Sequence, residues 1–169
     1  GAVDPFSVPV YLVQEAFIGN PMEQDLGWTV GAPSDGATTG AWTRVTPIGT
    51  VAAPGADHSE IGSQCWVTGQ GSAGGGQGEN DVDGGATTLF SSVMDLEPYS
   101  ADVVLIEYWR WYVNGTGAAP YTDTWQIEIT NDLVNWVTVE QVGPQNGPDT
   151  NGGWILHSFD PSQLISLTN

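Results

Sequence analysis

Lysine is absent from this chain, and Arg44 and Arg110 are its only strongly basic residues. Against 20 acidic side chains they leave a formal net charge of −18 over 169 residues. A surface of that sign repels nucleic-acid phosphates and anionic lipid headgroups, so no nucleic-acid partner is expected. Cysteine is nearly absent as well. Cys65 stands alone, which excludes an internal disulfide and a thiolate metal cluster. Inside GSQCWVTG it reads as a small buried apolar residue of a strand. No apolar run approaches the roughly 18 residues that cross a bilayer, so no membrane insertion is expected; no basic-then-apolar signal peptide survives, which suits either a removed signal or an excised segment. Helical patterning is scarce too, because 23 glycines and 11 prolines punctuate the chain throughout.

What is abundant is aromatic surface. Eight Trp, five Tyr and four Phe supply enough apolar area to offset chain entropy, which separates this sequence from acidic disordered chains. The length suits one domain with a full-sized core. An acidic, lysine-free, Gly/Thr/Asn/Trp-rich composition suits an extracellular or salt-exposed protein, and the expected location is extracellular or at the cell surface.

Strand signals recur at Val8–Phe17, Gly27–Val30, Ala41–Val45, Gln64–Thr68, Thr87–Ser91, Val103–Val113, Thr124–Thr130, Trp136–Val142 and Trp154–Phe159. The cleanest alternation is Thr124–Thr130, with Trp125, Ile127 and Ile129 on one face and Gln126 and Glu128 on the other. Val103–Val113 is largely apolar on both faces, which predicts a central strand covered on both sides. Turn chemistry separates the strands at PSDG (33–36), NGTG (114–117), ND (131–132), GPQNGPD (143–149) and NGG (151–153). Many short strands with such turns predict an all-β fold, a β-sandwich of two antiparallel sheets.

The segment GQGSAGGGQGENDVDGG, Gly69–Gly85, places Asn80, Asp81 and Asp83 among glycines. Glycine permits tight folding, so that oxygen ligands can converge, and hard cations such as Ca²⁺ take six to eight of them. A flexible acidic surface loop is the plain alternative. The spacing is not that of an EF-hand, since no Glu stands at the twelfth position. The literal G-x-G-x-x-G at Gly69–Gly74 leads into more glycine rather than into a helix that would hold a pyrophosphate, so dinucleotide binding is not expected.

Six blocks then occur in order: MEQDLGWTV, GAWTRV, DHSEIGSQCWVTG, NDVDGGATTLFSSVMDL, IEYWRWYVNGTGA and NGGWILHSF. Together they resemble a bacterial secreted module often appended to extracellular peptidases, and the same order is similar to the animal MAM domain. The resemblance runs from Met22 onward, with residues 1–21 as an N-terminal extension. It implies a jelly-roll β-sandwich in residues 22–169, usually non-catalytic, that binds calcium and mediates adhesion. It also implies metal ligands at Glu23, before Gly27-Trp28, and at Asp57 in the DHS turn, beside the loop's own Asn80, Asp81 and Asp83. In such domains a closing strand brings one more acidic ligand, and SLTN lies where that strand would begin. The apolar Val8–Phe17 is the expected filler of the open groove, within its own chain or in the next copy, the latter giving a filament.

Catalysis finds little support in the residues. Asp57, His58 and Ser59 have the types of a hydrolytic triad but are adjacent, where side chains diverge rather than relay a proton. His58 reads as a turn residue bonding the backbone, and His157 as a structural histidine on an apolar strand. With two histidines and no H-E-x-x-H, a catalytic zinc site is not expected. Trp109, Trp111 and Trp125 read as core. Arg110 points to the face opposite Trp109 and Trp111, where an ion pair with a carboxylate is expected. Trp42, Trp136 and Trp154 lie near turns, where exposed rings would stack on sugars. Asn114-Gly115-Thr116 is a glycosylation sequon and equally a hairpin turn. The sequence thus predicts a non-catalytic, calcium-binding extracellular domain for adhesion or assembly. Its partners are expected to be other copies of itself or an extracellular protein. The alternative is a carbohydrate-binding module, with polysaccharide as ligand, accessory to a secreted hydrolase.

Overall fold

The computed structural model describes residues 19–167 except Gln77 and Ala118. Val8–Phe17 lies outside the described residues. The rest is an all-β chain of eight short strands and three 3-10 turns (Glu97–Tyr99, Pro148–Thr150, Pro161–Gln163). The strands are β1 (Thr29–Val30), β2 (Trp42–Val45), β3 (Cys65–Thr68), β4 (Leu89–Phe90), β5 (Ile106–Arg110), β6 (Trp125–Ile129), β7 (Val137–Val142) and β8 (Ile155–Phe159). Each falls within an expected segment. They form four antiparallel two-stranded ladders: β1 with β4, β2 with β3, β5 with β8, and β6 with β7. Two ladders join sequence neighbours and two are long-range, so the β6–β7 hairpin is enclosed between the partners β5 and β8. A bulge between Ile127 and Glu128 shifts the β6–β7 register, which opposes Ile127 to Glu140 and Glu128 to Thr138.

Aromatic rings join the ladders. Trp42 of β2 meets Trp125 of β6 edge-on at 5.8 Å, and Tyr112 approaches the same Trp125 at 5.9 Å. Trp28 stacks on Trp66 of β3 at 6.3 Å, and Phe90 of β4 leans on Trp136 at 5.8 Å. These offset and edge-on arrangements suit the ring quadrupoles.

A polar cluster joins β5–β8 to β6–β7. Arg110, only 2% exposed, donates from Nε to Glu140 Oε1 at 2.9 Å and from Nη2 to Asp149 Oδ2 at 2.9 Å. Tyr108 Oη donates to Glu140 Oε2 at 2.7 Å, and His157 Nδ1 lies 3.4 Å from Glu140 Oε1. Tyr108, Arg110 and His157 share one face of the β5–β8 ladder, in line with the register Tyr108 to His157. The ion pair expected of Arg110 is present. Burial pushes the Glu140 carboxyl up, but the bonds from Arg110 and Tyr108 outweigh it and hold the group below the usual carboxylate range.

The expectation that Val103–Val113 is a central strand covered on both faces is corrected. Its inward face is this polar cluster, and its outward face is open: Val103 is 84% exposed, Leu105 59% and Trp109 45%. Strand pairing is confined to Ile106–Arg110, with β8 as its partner among the described residues. Trp109 is therefore not a core residue. An apolar pattern on both sides could not reveal that the buried side is the one carrying the arginine.

Asn114 takes a third role, neither exposed sequon nor hairpin turn. It is 5% exposed, and its Nδ2 donates to Asp123 O at 2.7 Å and to Pro144 O at 3.1 Å. Its backbone N–H reaches Thr150 O at 2.9 Å, and its carbonyl accepts from Tyr121 N at 2.7 Å. The side chain is a buried tie between three loops. Gly143 lets those loops close, since a Cβ there would lie 2.7 Å from Asp123 O.

At the β6–β7 turn Asp132 accepts from the backbone N–H of Val134 (2.8 Å) and Asn135 (2.7 Å), and Thr130 Oγ1 accepts from Leu133 N at 3.0 Å. The turn holds Leu133 at φ 61°, in the left-handed region, with its side chain 72% exposed.

Two outcomes are expected. Glu140→Ala strands a buried guanidinium and should cost about 3–5 kcal/mol in urea unfolding, whereas Asp149→Asn, at a half-exposed partner, should cost under about 1 kcal/mol. Leu133→Gly relieves left-handed strain without losing packing and should stabilise by about 0.5–1 kcal/mol, read as a higher urea midpoint at unchanged slope.

Candidate functional site

Five oxygen-bearing residues were expected to hold a cation, and the structure distributes them over the two ends of the β2–β3 ladder. At the end where β3 begins, Glu23 Oε1 accepts the backbone N–H of Ser63 at 2.7 Å and of Gln64 at 2.6 Å. Beside it Arg44 Nη1 donates to Met22 O at 2.9 Å and to Gln64 Oε1 at 2.6 Å. The 21–23 segment is thereby laid across the start of β3, and Ser59 Oγ donates to Pro21 O at 3.4 Å. The amides of Gln64 and then Ser63 hold the Glu23 carboxyl below the usual carboxylate range.

Asp57 belongs to the same end. Its Oδ2 is buried and has no hydrogen-bond partner among the described residues. Its charge reaches Cys65, whose thiol is pushed up to about 11, first by burial and then by Asp57. Cys65 is half-buried and electrostatically quiet, as expected of a packing residue rather than a nucleophile. A hollow of about 250 Å³ adjoins this end, with Asn20, Pro21, Glu23 and Leu26 in its lining.

Asn80, Asp81 and Asp83 sit at the other end, where β3 leaves. Their loop docks by its backbone. Thr39 Oγ1 donates to Asp81 O at 2.8 Å, Thr38 N donates to Asp83 O at 2.7 Å, and Asn80 Nδ2 donates to Gln70 O at 2.9 Å. A Cβ on Gly69 would lie 1.8 Å from Asn80 O, and one on Gly40 would lie 2.6 Å from Asp81 O. Glycine is thus needed for close backbone approach to the strand ends rather than for gathering carboxylates, which remain exposed on this loop. From Gln64 to Gly69 an extended strand covers roughly 16 Å at about 3.3 Å per residue. One ion cannot bridge both ends. Among the described residues no group of three or more His, Cys, Asp or Glu side chains converges tightly enough to hold a metal by side chains alone.

The aromatic expectations change places. Trp42 is half-buried, with Nε1 donating to Thr87 O at 3.1 Å and its ring against Trp125. Trp154 is half-buried between His58 and Trp111, at 5.7 and 5.9 Å. Trp136 is 41% exposed and Trp109, expected in the core, 45%. Among the described residues the His58 ring has no hydrogen bond to the backbone. It stacks on Trp109 at 3.6 Å with 15° between the planes. With Ser59 bonded to Pro21 O and His58 lying on Trp109, the adjacent Asp-His-Ser residues form no relay. A second hollow, of about 360 Å³, is bounded by Ser100 and residues 162–167, none of which is a general acid or base.

Because the folded Glu23 pKa is depressed, its contribution to stability is present above the unfolded value of about 4.3 and is lost as pH falls through the folded one. Glu23→Gln should therefore be less stable than the parent at pH 7. The gap should close between about pH 4.3 and lower pH, as read by urea unfolding at successive pH values. No protein-family model, curated protein or solved structure matches this chain.

Proposed function

We propose that this is a non-catalytic, calcium-stabilised jelly-roll domain of an extracellular or cell-surface protein, serving attachment or assembly. The observation that carries it is the buried Asp57 Oδ2, without a hydrogen-bond partner among the described residues, at the ladder end where Glu23 is fixed. An orphaned carboxylate oxygen is costly to bury without a partner, and a hard cation supplies one. Asp57 and Glu23 would be its anionic ligands, with backbone carbonyls and water completing the shell. When bound, calcium would fix the 21–23 segment and the Asp57–Ser59 turn against β3 and neutralise charge in a strongly acidic chain. The residues around it supply no acid–base–nucleophile set, which supports a structural role. The exposed acidic loop at Asp81 and Asp83 would add a weaker, independent affinity for divalent cations.

A second function, a carbohydrate-binding module accessory to a secreted hydrolase, is favoured by the exposed Trp136 ring beside the rigid β6–β7 turn. Stacking of a sugar on that ring would give modest affinity, and a glycan array with Trp136→Ala as control discriminates the two.

The calcium test is thermal unfolding with Ca²⁺ and with chelator. A ligand at a hundredfold excess over Kd stabilises by roughly 2.7 kcal/mol, so chelation should lower the Tm by several degrees. Asp57→Asn should abolish the calcium-dependent increment, while Asp81→Asn with Asp83→Asn should retain most of it. An unchanged melt in chelator, with no bound metal by elemental analysis, would remove the proposal.

A further inference from the structure

The chain holds one N-x-S/T sequon, Asn114-Gly115-Thr116, the acceptor pattern for a glycan carried on the asparagine amide. The fold uses that amide for itself. Asn114 is 5% exposed, and its Nδ2 donates to two carbonyls, Asp123 O at 2.7 Å and Pro144 O at 3.1 Å. The space around the nitrogen is closed as well. A Cβ added at Gly143 would lie 3.3 Å from Asn114 Nδ2 and 2.7 Å from Asp123 O, so a single extra carbon already crowds the site. The backbone of the sequon is held on both sides. Asn114 N donates to Thr150 O at 2.9 Å, its carbonyl accepts from Tyr121 N at 2.7 Å, and Val113 bridges to Asn151. At Gly115 a Cβ would lie 2.9 Å from Tyr121 Oη, so the middle of the sequon packs against that ring.

We propose that glycosylation of Asn114 and the folded state exclude each other, so that the sequon accepts a glycan only while the chain is unfolded. Transfer from a lipid-diphosphate-linked oligosaccharide forms a bond between Nδ2 and the anomeric carbon of the first sugar. It breaks that carbon's bond to the diphosphate, which leaves with the bonding electrons, while one Nδ2 proton passes to a base of the transferase. The modified amide keeps one N–H. Asp123 O and Pro144 O can then no longer both be satisfied, and a buried carbonyl left without a donor is costly. The sugar ring is the larger obstacle, because it needs room where a Cβ does not fit. Admitting it means parting the segments around Asp123, Gly143 and Thr150. Asp149, next to Thr150, bonds Arg110, so the opening reaches the charged cluster that joins the ladders. In the other direction, a transferase meets no accessible acceptor on the native chain. The native fold therefore forms before, or apart from, any oligosaccharyl transfer. The inference is independent of calcium, since it involves neither Asp57 nor Glu23.

The test directs the full chain into a secretory pathway that contains an oligosaccharyltransferase, with mass spectrometry of the soluble and the retained fractions. The soluble protein is expected to be bare at Asn114, with glycan confined to retained or aggregated chains. Thr116→Ala deletes the sequon and leaves the Asn114 bonds in place, and it should raise the soluble yield several-fold. In a host without the transferase, Thr116→Ala should match the parent in yield and Tm, whereas Asn114→Gln, which breaks the tie, should lower both. A soluble monomer carrying glycan at Asn114 with an unchanged Tm would overturn the proposal. So would an unchanged soluble yield with Thr116→Ala beside glycosylated retained chains, because the glycan would then mark chains already lost. If both fractions are bare, Glu140→Ala, which destabilises the fold at a distance from the sequon, should become glycosylated; a bare Glu140→Ala chain would equally overturn it.

Discussion

The fold depends on where one positive charge goes. Among the described residues Arg110 is the most buried charged side chain, in a molecule whose other charges are overwhelmingly negative. It lies on β5, yet its main partner Glu140 lies on β7, and Glu140 also receives Tyr108 from β5 and stands beside His157 of β8. A buried guanidinium is expensive to desolvate, and the cost is tolerable only if its carboxylate is held in register. That requirement ties two ladders together at a fixed mutual position. The bulge that opposes Ile127 to Glu140 belongs to the same arrangement, because it sets the register at which Glu140 is presented. Burial lowers the guanidinium's affinity for its proton, but Glu140 and Asp149 raise it by more, so the centre of the cluster stays charged.

Around that cluster the packing is aromatic and the loops are joined backbone to backbone. Trp125 is met by Trp42 and Tyr112, so β2, β6 and the segment after β5 share one aromatic junction. The acidic loop after β3 and the buried Asn114 tie both rely on glycines across from them, at Gly40, Gly69 and Gly143, that let main chains approach more closely than any side chain would allow. Glycine content in this protein therefore serves contact as much as flexibility.

Much of the architecture was legible in the sequence. All eight described strands lie where alternation and turn residues placed them, because period-two burial and Gly/Asn/Asp/Pro turns are local signals. The ion pair of Arg110 was legible in kind, since a lone arginine in a strand among many carboxylates must find one. Its identity was not, because Glu140 is contributed by a strand that is distant in sequence. The outward face of β5 was misjudged for a related reason: hydrophobicity predicted that the tryptophan side is covered, and only long-range pairing reveals that the enclosed side is the polar one. The proposed cation ligands were read as one group because sequence order brings Asn80, Asp81 and Asp83 after β3, while Glu23 and Asp57 meet its start. The length of β3, not visible as a distance in the sequence, separates them. The stacking of His58 on Trp109 had no local signal at all.

Both arginines turn inward, Arg110 to Glu140 and Asp149, Arg44 to Met22 O and Gln64. The consequence concerns the field outside the molecule. With no lysine and neither guanidinium projecting freely, the surface has carboxylates and almost no fixed cation to break their potential into patches. Two copies approaching in dilute buffer meet repulsion from every direction, whatever shape they offer each other. At an ionic strength near 0.1 M that repulsion fades beyond about 10 Å, and at about 1 M beyond about 3 Å. The distance at which one copy first senses another is thus set by the surrounding medium, and short-range apolar contact begins to matter only where salt has shortened that reach.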